Sequence, residues 1–386
     1  MPGPGPVPDD AGQGGVLQGT LRVGVVGCGG VSWNHLSAYA AAEGAEVVAV
    51  CDVDLARARA AAEEWGVPAA FGSVEDLLAH GVDAVSVCTP HPTHEAVVLA
   101  AAAAGVHVLC EKPIATDLAS AERMVRACDD AGVVLSVVLQ RRFWPAAQRI
   151  HAALTSGEFG TPILGECTAI LERDTAYYAS ASWRGSWADD GGGVLMTQAI
   201  HHLDLLQWLM GDVAEVYGRV ATYRHGDDIE VEDSAVATLV FTSGAMATVQ
   251  ATTAAAPSLG DRVRVTTSSG ASMQLIEFPE GSDARIDVWA ADGKIVSEPS
   301  HPEGAEPHVV LADINRQLLP HHASQLADFV SSLRAGRTPA VSGPDATRAL
   351  RILLAIYESA RTGLPVRFAE SPRSVEIPES IRVSSV

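Results

Sequence analysis

LRVGVVGCGGVSWNHLSAYAAAEGAEVVAVCD, Leu21 to Asp52, sets two uniformly apolar runs, LRVGVV and EVVAVC, on either side of a helical segment, Val31 to Ala42. Runs without alternating polar positions suit strands buried on both faces, the condition of a parallel sheet covered by helices. Gly27, Gly29 and Gly30 follow the first strand, with Val31 next and Ser32 where the third small residue of GxGxxG falls. Glycines there permit a tight turn and let a pyrophosphate approach the backbone, and the helix behind them offers free N–H groups. Asp52 closes the second strand about 20 residues after Ser32, where a carboxylate accepts hydrogen bonds from both hydroxyls of an adenosine ribose. The order is that of a dinucleotide-binding unit. No basic residue follows Asp52 until Arg57, and the carboxylate repels a 2′-phosphate, so NAD is favoured with NADP as the other option.

The alternation continues through DAVSVC, VHVLC and VVLSVVL, with helical runs over Leu55 to Trp65, Thr93 to Ala104 and Leu118 to Ala131, and a weaker strand near Ala69 to Phe71. This predicts an α/β unit over residues 20–140, a doubly wound Rossmann domain. After Arg141 the pattern changes to a helix (Pro145 to Thr155), a strand (Ile163 to Leu171) and a long apolar helix. Strands at short spacing follow from Val213 to Trp289, with turn candidates at Ser243-Gly244, Ser269-Gly270 and Asp292-Gly293. Helices over Ala323 to Arg334 and Asp345 to Thr362 close the chain. Residues 141–370 therefore read as a second, α+β domain with a mostly antiparallel sheet, between flexible tails at 1–19 and 371–386.

Composition narrows the possible functions. The 386 residues are 47% hydrophobic and 19% charged, as in a folded globular protein with a full core. A formal net charge of -21 disfavours nucleic acid and anionic lipid as partners. No run reaches the ~20 apolar residues of a membrane span, and the N-terminus lacks the basic start of a signal peptide. Six scattered cysteines without a CxxC pair suit a reducing cytoplasm.

Two strand ends carry unusual residues: Thr89-Pro90, and Glu111-Lys112-Pro113. Ligands of open α/β sheets bind at the carboxyl ends of strands, so both segments would border the far half of the dinucleotide. His91 to His94, HPTH, reads as the cap of a helix at that site and not as a metal site. Gln140, just beyond the sixth strand, is a further cofactor candidate. In the second domain GGGVLMTQAIHHLDLLQW, Gly191 to Trp208, puts polar groups on an apolar helix. At α-helical spacing Thr197, His201 and Asp204 share one stripe, while His202 diverges. The three glycines would allow another backbone, or the cofactor, to come close to the helix start. HxxxH spacing is absent and no metal is assigned. Upstream, YYASASWRGSW concentrates aromatic rings that suit sugar C–H faces, with Arg184 to hold an anion or an amide. Tyr178 and Arg184 are the substrate or cofactor candidates of that loop.

GxGxxS, Asp52, CTPxxxH ending in His94, HVLCEKP and GGGVLMTQAIHHLDLLQWLMG together resemble the Gfo/Idh/MocA oxidoreductases, the glucose-fructose oxidoreductase and inositol dehydrogenase group, from Leu21 to about Phe368. The resemblance implies a C-terminal domain whose large open sheet supports homodimers or homotetramers. It also implies reversible oxidation of a sugar, nucleotide-sugar or cyclitol hydroxyl by a nicotinamide cofactor. Lys112 corresponds to the family's EKP lysine and His201 to the histidine that takes the substrate proton. Histidine titrates near neutrality and suits that role, and a lysine stabilises a developing alkoxide. Asp204 would orient His201 or bind a hydroxyl. Similar inositol dehydrogenases carry an Asp four residues before that histidine; here Thr197 stands there, followed by Gln198, and both enter the expected substrate pocket. An NAD-retaining glycosidase and a non-catalytic cofactor-binding sensor are alternatives from the same resemblance.

Overall fold

A computed structural model describes residues 19–181, 183–301, 303–304 and 311–368. The expected tails lie outside the described residues, apart from Gly19. Six strands, β1 (Leu21–Val26), β2 (Ala45–Cys51), β3 (Ala69–Phe71), β4 (Ala84–Val87), β5 (His107–Cys110) and β6 (Leu135–Val137), form a parallel sheet in the order β3-β2-β1-β4-β5-β6. That order reverses direction between β1 and β4, which places a crevice at their carboxyl ends. The helices of this half are α1 (Ser32–Ala41), α2 (Leu55–Trp65), α3 (Val74–Ala79), α4 (His94–Ala103) and α5 (Leu118–Ala131). Local chemistry sets several of their ends: Asp54, Ser73 and Asp117 accept backbone N–H groups at the starts of α2, α3 and α5. Gly66 and Gly132 end α2 and α5 in the left-handed conformation.

The second half begins with α6 (Pro145–Thr155), β7 (Pro162–Ile170) and the short α7 (Thr175–Ala179), followed by α8 (Ile200–Met210). Its strands are β8 (Val213–Ala221), β9 (Ser234–Phe241), β10 (Met246–Thr252), β11 (Gly260–Thr267), β12 (Ser272–Glu277), β13 (Arg285–Ala291) and β14 (Lys294–Ser297). Then come α9 (Leu311–Gln317), α10 (Leu319–Ala335), α11 (Gly343–Thr362) and β15 (Val366–Arg367). The sheet has nine strands in the order β14-β13-β12-β11-β7-β10-β9-β8-β15, antiparallel except where β7 pairs with β10. Helices α8 and α11 cover one face, burying alternate residues such as Leu239 and Val249. The other face is open, and Leu164, Tyr217, Val236 and Met246 are exposed.

Besides the short elements α3, α7, α9 and β15, two larger features depart from the sequence expectation. Strand β14 extends the sheet beyond the Asp292-Gly293 turn, where Asp292 itself adopts a positive φ of 51°. Helix α10, late in the chain, lies on the first domain: its Leu326, Phe329, Val330 and Leu333 pack with Leu21, Val23, Ala38 and Tyr39. Gln325 anchors it by accepting from Leu139 N–H and donating to the Val137 carbonyl, 3.0 and 2.7 Å. The apolar face of the first sheet thus needs a segment about 180 residues beyond the sequence boundary to cover it.

Candidate active site

The glycine turn is shaped for two different reasons. A Cβ on Gly27, whose φ is +92°, would meet the Cys88 carbonyl at 2.7 Å, so glycine is required where β1 passes the end of β4. Gly29 and Gly30 have nothing within 4 Å of such an atom and face open space, the room a pyrophosphate needs. Val31 leads into α1, and the Ser32 hydroxyl donates to the Gly29 carbonyl at 2.6 Å, fixing the turn. Asp52 is buried and accepts from the N–H groups of Cys28 and Asp54, 3.0 and 2.9 Å. Arg57, one turn further on, brings its guanidinium within 3.5 Å of the Asp52 carboxylate, so a cation stands closer to that acid than sequence spacing indicated.

At the other strand ends Thr89 Oγ1 and Gln140 Oε1 are buried without hydrogen-bond partners, which fits groups waiting for a polar ligand. His94 acts between elements: its two ring nitrogens lie 2.9 Å from the carbonyls of Thr89 and Pro113, tying the β4 end to the β5 end. It is completely buried and sets the shape of this border. Pro90 starts the turn that contains His91, and His91 Nδ1 contacts the Asp190 carbonyl of the second domain at 3.0 Å.

Lys112 follows β5 through Glu111, with a cis peptide before Pro113. Its Nζ donates to the Thr197 carbonyl at 2.7 Å and so crosses from the first domain to the helix of the second. Burial lowers Lys112 to about 8, with Arg141 lowering it further and Glu111 opposing. Glu111 is pushed up by burial, but its 2.8 Å contact with His35, helped by His322 and Lys112, holds it at about 2. His201 is buried, its Nδ1 has no hydrogen-bond partner, and burial together with Arg141 and Lys112 holds it well below the usual histidine range.

The helix that carries His201 is not uniform. Leu195–Ala199 forms a π turn before α8 begins, so the expected α-helical stripe is broken between Thr197 and His201. Such turns are frequent at functional sites. The Thr197 hydroxyl lies 2.8 Å from the Gly193 carbonyl and contacts the Gln198 amide oxygen. Gln198 Nε2 donates to the Tyr177 hydroxyl at 2.9 Å, and Arg184 Nη1 donates to the same oxygen at 2.7 Å. Lys112, Thr197, Gln198, Tyr177 and Arg184 are therefore one connected set.

Two expectations need correction. Tyr178 turns the other way and contacts Thr253 Oγ1 at 2.8 Å, leaving the set to Tyr177; successive helical residues point roughly 100° apart, so the pair cannot share a target. Asp204 does not face His201. It is fully buried in a bidentate pair with Arg142, 2.8 and 2.6 Å, which commits both its oxygens to packing. Of the two readings of the glycines before the π turn, close approach by other protein is the one met: a Cβ on Gly192 would overlap the Tyr357 hydroxyl, and one on Gly193 the Glu232 main-chain carbonyl. Glu232 and Tyr357 were invisible in the sequence because nothing local marks a side chain whose partners lie tens of residues or more away. His202, Asp261 and Glu277 also place one ligand atom each within 4.8 Å of one another. Arg141 already bonds both Glu277 oxygens, 2.9 and 3.1 Å, so this cluster is a buried charge network beneath α8.

Residues 21–139 match the family model described as an oxidoreductase family with an NAD-binding Rossmann fold, and residues 147–272 match the GFO/IDH/MocA C-terminal domain. The chain belongs to the Gfo/Idh/MocA oxidoreductase family. D-apiose dehydrogenase of Paraburkholderia graminis is 32% identical over 355 residues, covering 90% of this chain and 91% of the relative. Myo-inositol 2-dehydrogenase of Thermotoga maritima is 28% identical, covering 94% and 100%. The WlbA dehydrogenase of Bordetella pertussis, solved with NADH and UDP-GlcNAcA, is 34% identical with a TM-score of 0.78, covering 91% of this chain and all of that one. As a family member the chain is a nicotinamide-dependent oxidoreductase.

Proposed function

We propose that the chain oxidises a hydroxyl of a sugar, nucleotide sugar or cyclitol, or reduces the corresponding ketone, with Lys112 and His201 handling charge and proton. The observation that carries this is the 2.7 Å contact from Lys112 Nζ to the Thr197 carbonyl. It brings the β5 end, which would border the nicotinamide, onto the turn that precedes His201. Gly27, Gly29, Gly30 and Ser32 would hold the pyrophosphate, Asp52 the ribose, and Thr89 and Gln140 the nicotinamide half. When bound, the nicotinamide exchanges a hydride with the carbon that bears the hydroxyl.

His201 is kept neutral by burial and by the cations Arg141 and Lys112, and its unpaired Nδ1 stands as an acceptor for the hydroxyl proton; the same surroundings weaken it as a base, so proton loss is coupled to departure of the hydride. Lys112, at about 8, stays largely protonated at neutral pH and stabilises the alkoxide. Gln198, Tyr177 and Arg184 provide a polar wall for the remaining hydroxyls, and Thr197 fixes Gln198. NAD is the preferred cofactor because Asp52 opposes a 2′-phosphate. The open sheet face, with Leu164, Val236 and Met246 exposed, supports a second copy of the chain as partner. All six cysteines are free thiols, which supports a cytoplasmic location.

The test is to incubate the purified protein with NAD or NADP and a panel of inositols, free sugars, glycosides and UDP-sugars, following nicotinamide absorbance and released leaving groups. Net reduction of cofactor with one substrate class supports the reading. Leaving-group release without net reduction replaces it with an NAD-retaining glycosidase, and cofactor binding with silence in both channels replaces it with a sensor.

A further inference from the structure

The π turn that presents Thr197 and Gln198 and leads into His201 starts without a local capping side chain. The first N–H groups of a helix need acceptors, and three glycines supply none. They come instead from one residue on the segment that leads into β9. Glu232 Oε2 accepts from Gly193 N–H at 2.9 Å, its main-chain carbonyl from Val194 N–H at 3.1 Å, and its Oε1 from Leu195 N–H at 3.0 Å. The Tyr357 hydroxyl of α11 donates to Oε1 at 2.8 Å. Three consecutive amides at the helix start are thus satisfied by a single residue 37 to 39 positions away. The steric record agrees, since no side chain fits at Gly192 or Gly193 while Tyr357 and Glu232 stand there.

We infer that Glu232 is a positioning residue for catalysis: as an ionised carboxylate it clamps the glycine turn, and through it the π turn whose Thr197 carbonyl receives Lys112. The inference rests on the roles assigned to Lys112 and His201 above. Three donors converge on the two carboxyl oxygens, and an ionised carboxylate is the side chain that accepts from all of them. Glutamine presents one acceptor and two unwanted N–H groups. The groups that face Glu232 are the Gly193 and Leu195 amides from the helix start and Tyr357 from α11, with Asp190 acting on Tyr357 from the preceding loop. Burial pushes Glu232 up to about 7, against the lowering effect of these hydrogen bonds. Protonation near neutrality then puts a hydrogen among three donors and loosens the turn.

The test uses the full-length protein and the variants Glu232→Gln, Glu232→Asp and Tyr357→Phe, read by amide exchange and by the pH profile of kcat. Glu232→Gln should speed exchange over residues 193–195 at least tenfold at pH 8, lower kcat about tenfold or more, leave the Kd for NAD unchanged, and lose the acid limb near pH 7. Glu232→Asp, which keeps the charge, should recover part of kcat. Tyr357→Phe removes one stabilising donor and should move the acid limb to higher pH, an effect that a packing role alone would not produce. Unchanged exchange over 193–195 in Glu232→Gln, or a kcat profile identical to wild type in the variants, overturns the inference. If Glu232→Gln does not fold, the direction of the Tyr357→Phe limb decides. Should wild type oxidise nothing in the panel, the functional reading fails by itself, and the exchange rates, followed from pH 6 to 8, still decide whether Glu232 clamps the turn.

Discussion

Replacing Lys112 with methionine separates its catalytic cost from its structural one. Burial lowers Lys112 from 10.5 to about 8, and at about 1.4 kcal/mol per pH unit the ionised side chain costs the folded state roughly 3 kcal/mol at neutral pH. Against this stands its 2.7 Å hydrogen bond to the Thr197 carbonyl, a charged donor contact of about 1.5–3 kcal/mol. Methionine removes both, so Lys112→Met at pH 7 should match wild type or exceed it in stability by up to about 1.5 kcal/mol, while kcat/KM falls at least ~100-fold, about 2.7 kcal/mol of transition-state stabilisation. The pH dependence has a definite sign. A lysine whose folded value is depressed carries its full penalty below about 8 and sheds it as pH rises toward 10.5, so wild type should gain stability relative to the variant over that window. Urea unfolding at pH 7 and pH 10, with steady-state kinetics at pH 7, measures all three. Turnover within tenfold of wild type would refute the role of Lys112. A stability difference that does not change with pH would refute the buried ammonium.

Further outcomes follow from the same geometry. His201→Ala should lower kcat at least ~100-fold with NAD affinity, read by fluorescence titration, within twofold of wild type, because the proposed role sets His201 against the substrate hydroxyl and not the dinucleotide turn. Asp52→Ala should weaken NAD and raise the relative use of NADP, since Arg57, now 3.5 Å from that carboxylate, would be released toward a 2′-phosphate; an unmoved preference places the ribose elsewhere. Asp204→Ala should destabilise the fold in urea by up to about 3–5 kcal/mol, because Arg142 stays buried with Asp345, 3.6 Å away, in place of its bidentate partner, and a raised KM with stability intact would return Asp204 to the substrate.

Much of the first domain was legible because its determinants are local. The apolar runs, the turn at Gly27, and Asp52 at the end of β2 each lie within a few residues of what they control, and strand order follows from a connection rule. Lys112 and the segment around His201 stood out because charged or polar residues at strand ends and on apolar helices need an explanation wherever they occur.

What the sequence could not show were choices settled between distant segments. Tyr177 rather than Tyr178 faces Gln198 because of how the short α7 is seated, and Asp204 is drawn away by Arg142, 62 residues earlier. The glycines at 191–193 suit another backbone or a cofactor equally in sequence, and it is Thr116, Glu232 and Tyr357 that fill the space. Sequence alone determined the architecture, the cofactor class and the residues with the right chemistry, since periodicity, turn geometry and donor types are properties of short stretches. Tertiary structure alone decided which of those residues meet: hydrogen-bond partners, burial and the resulting shifts of Lys112 and Glu232 depend on atoms tens to hundreds of residues apart, brought together only when the two sheets and their shared helices pack.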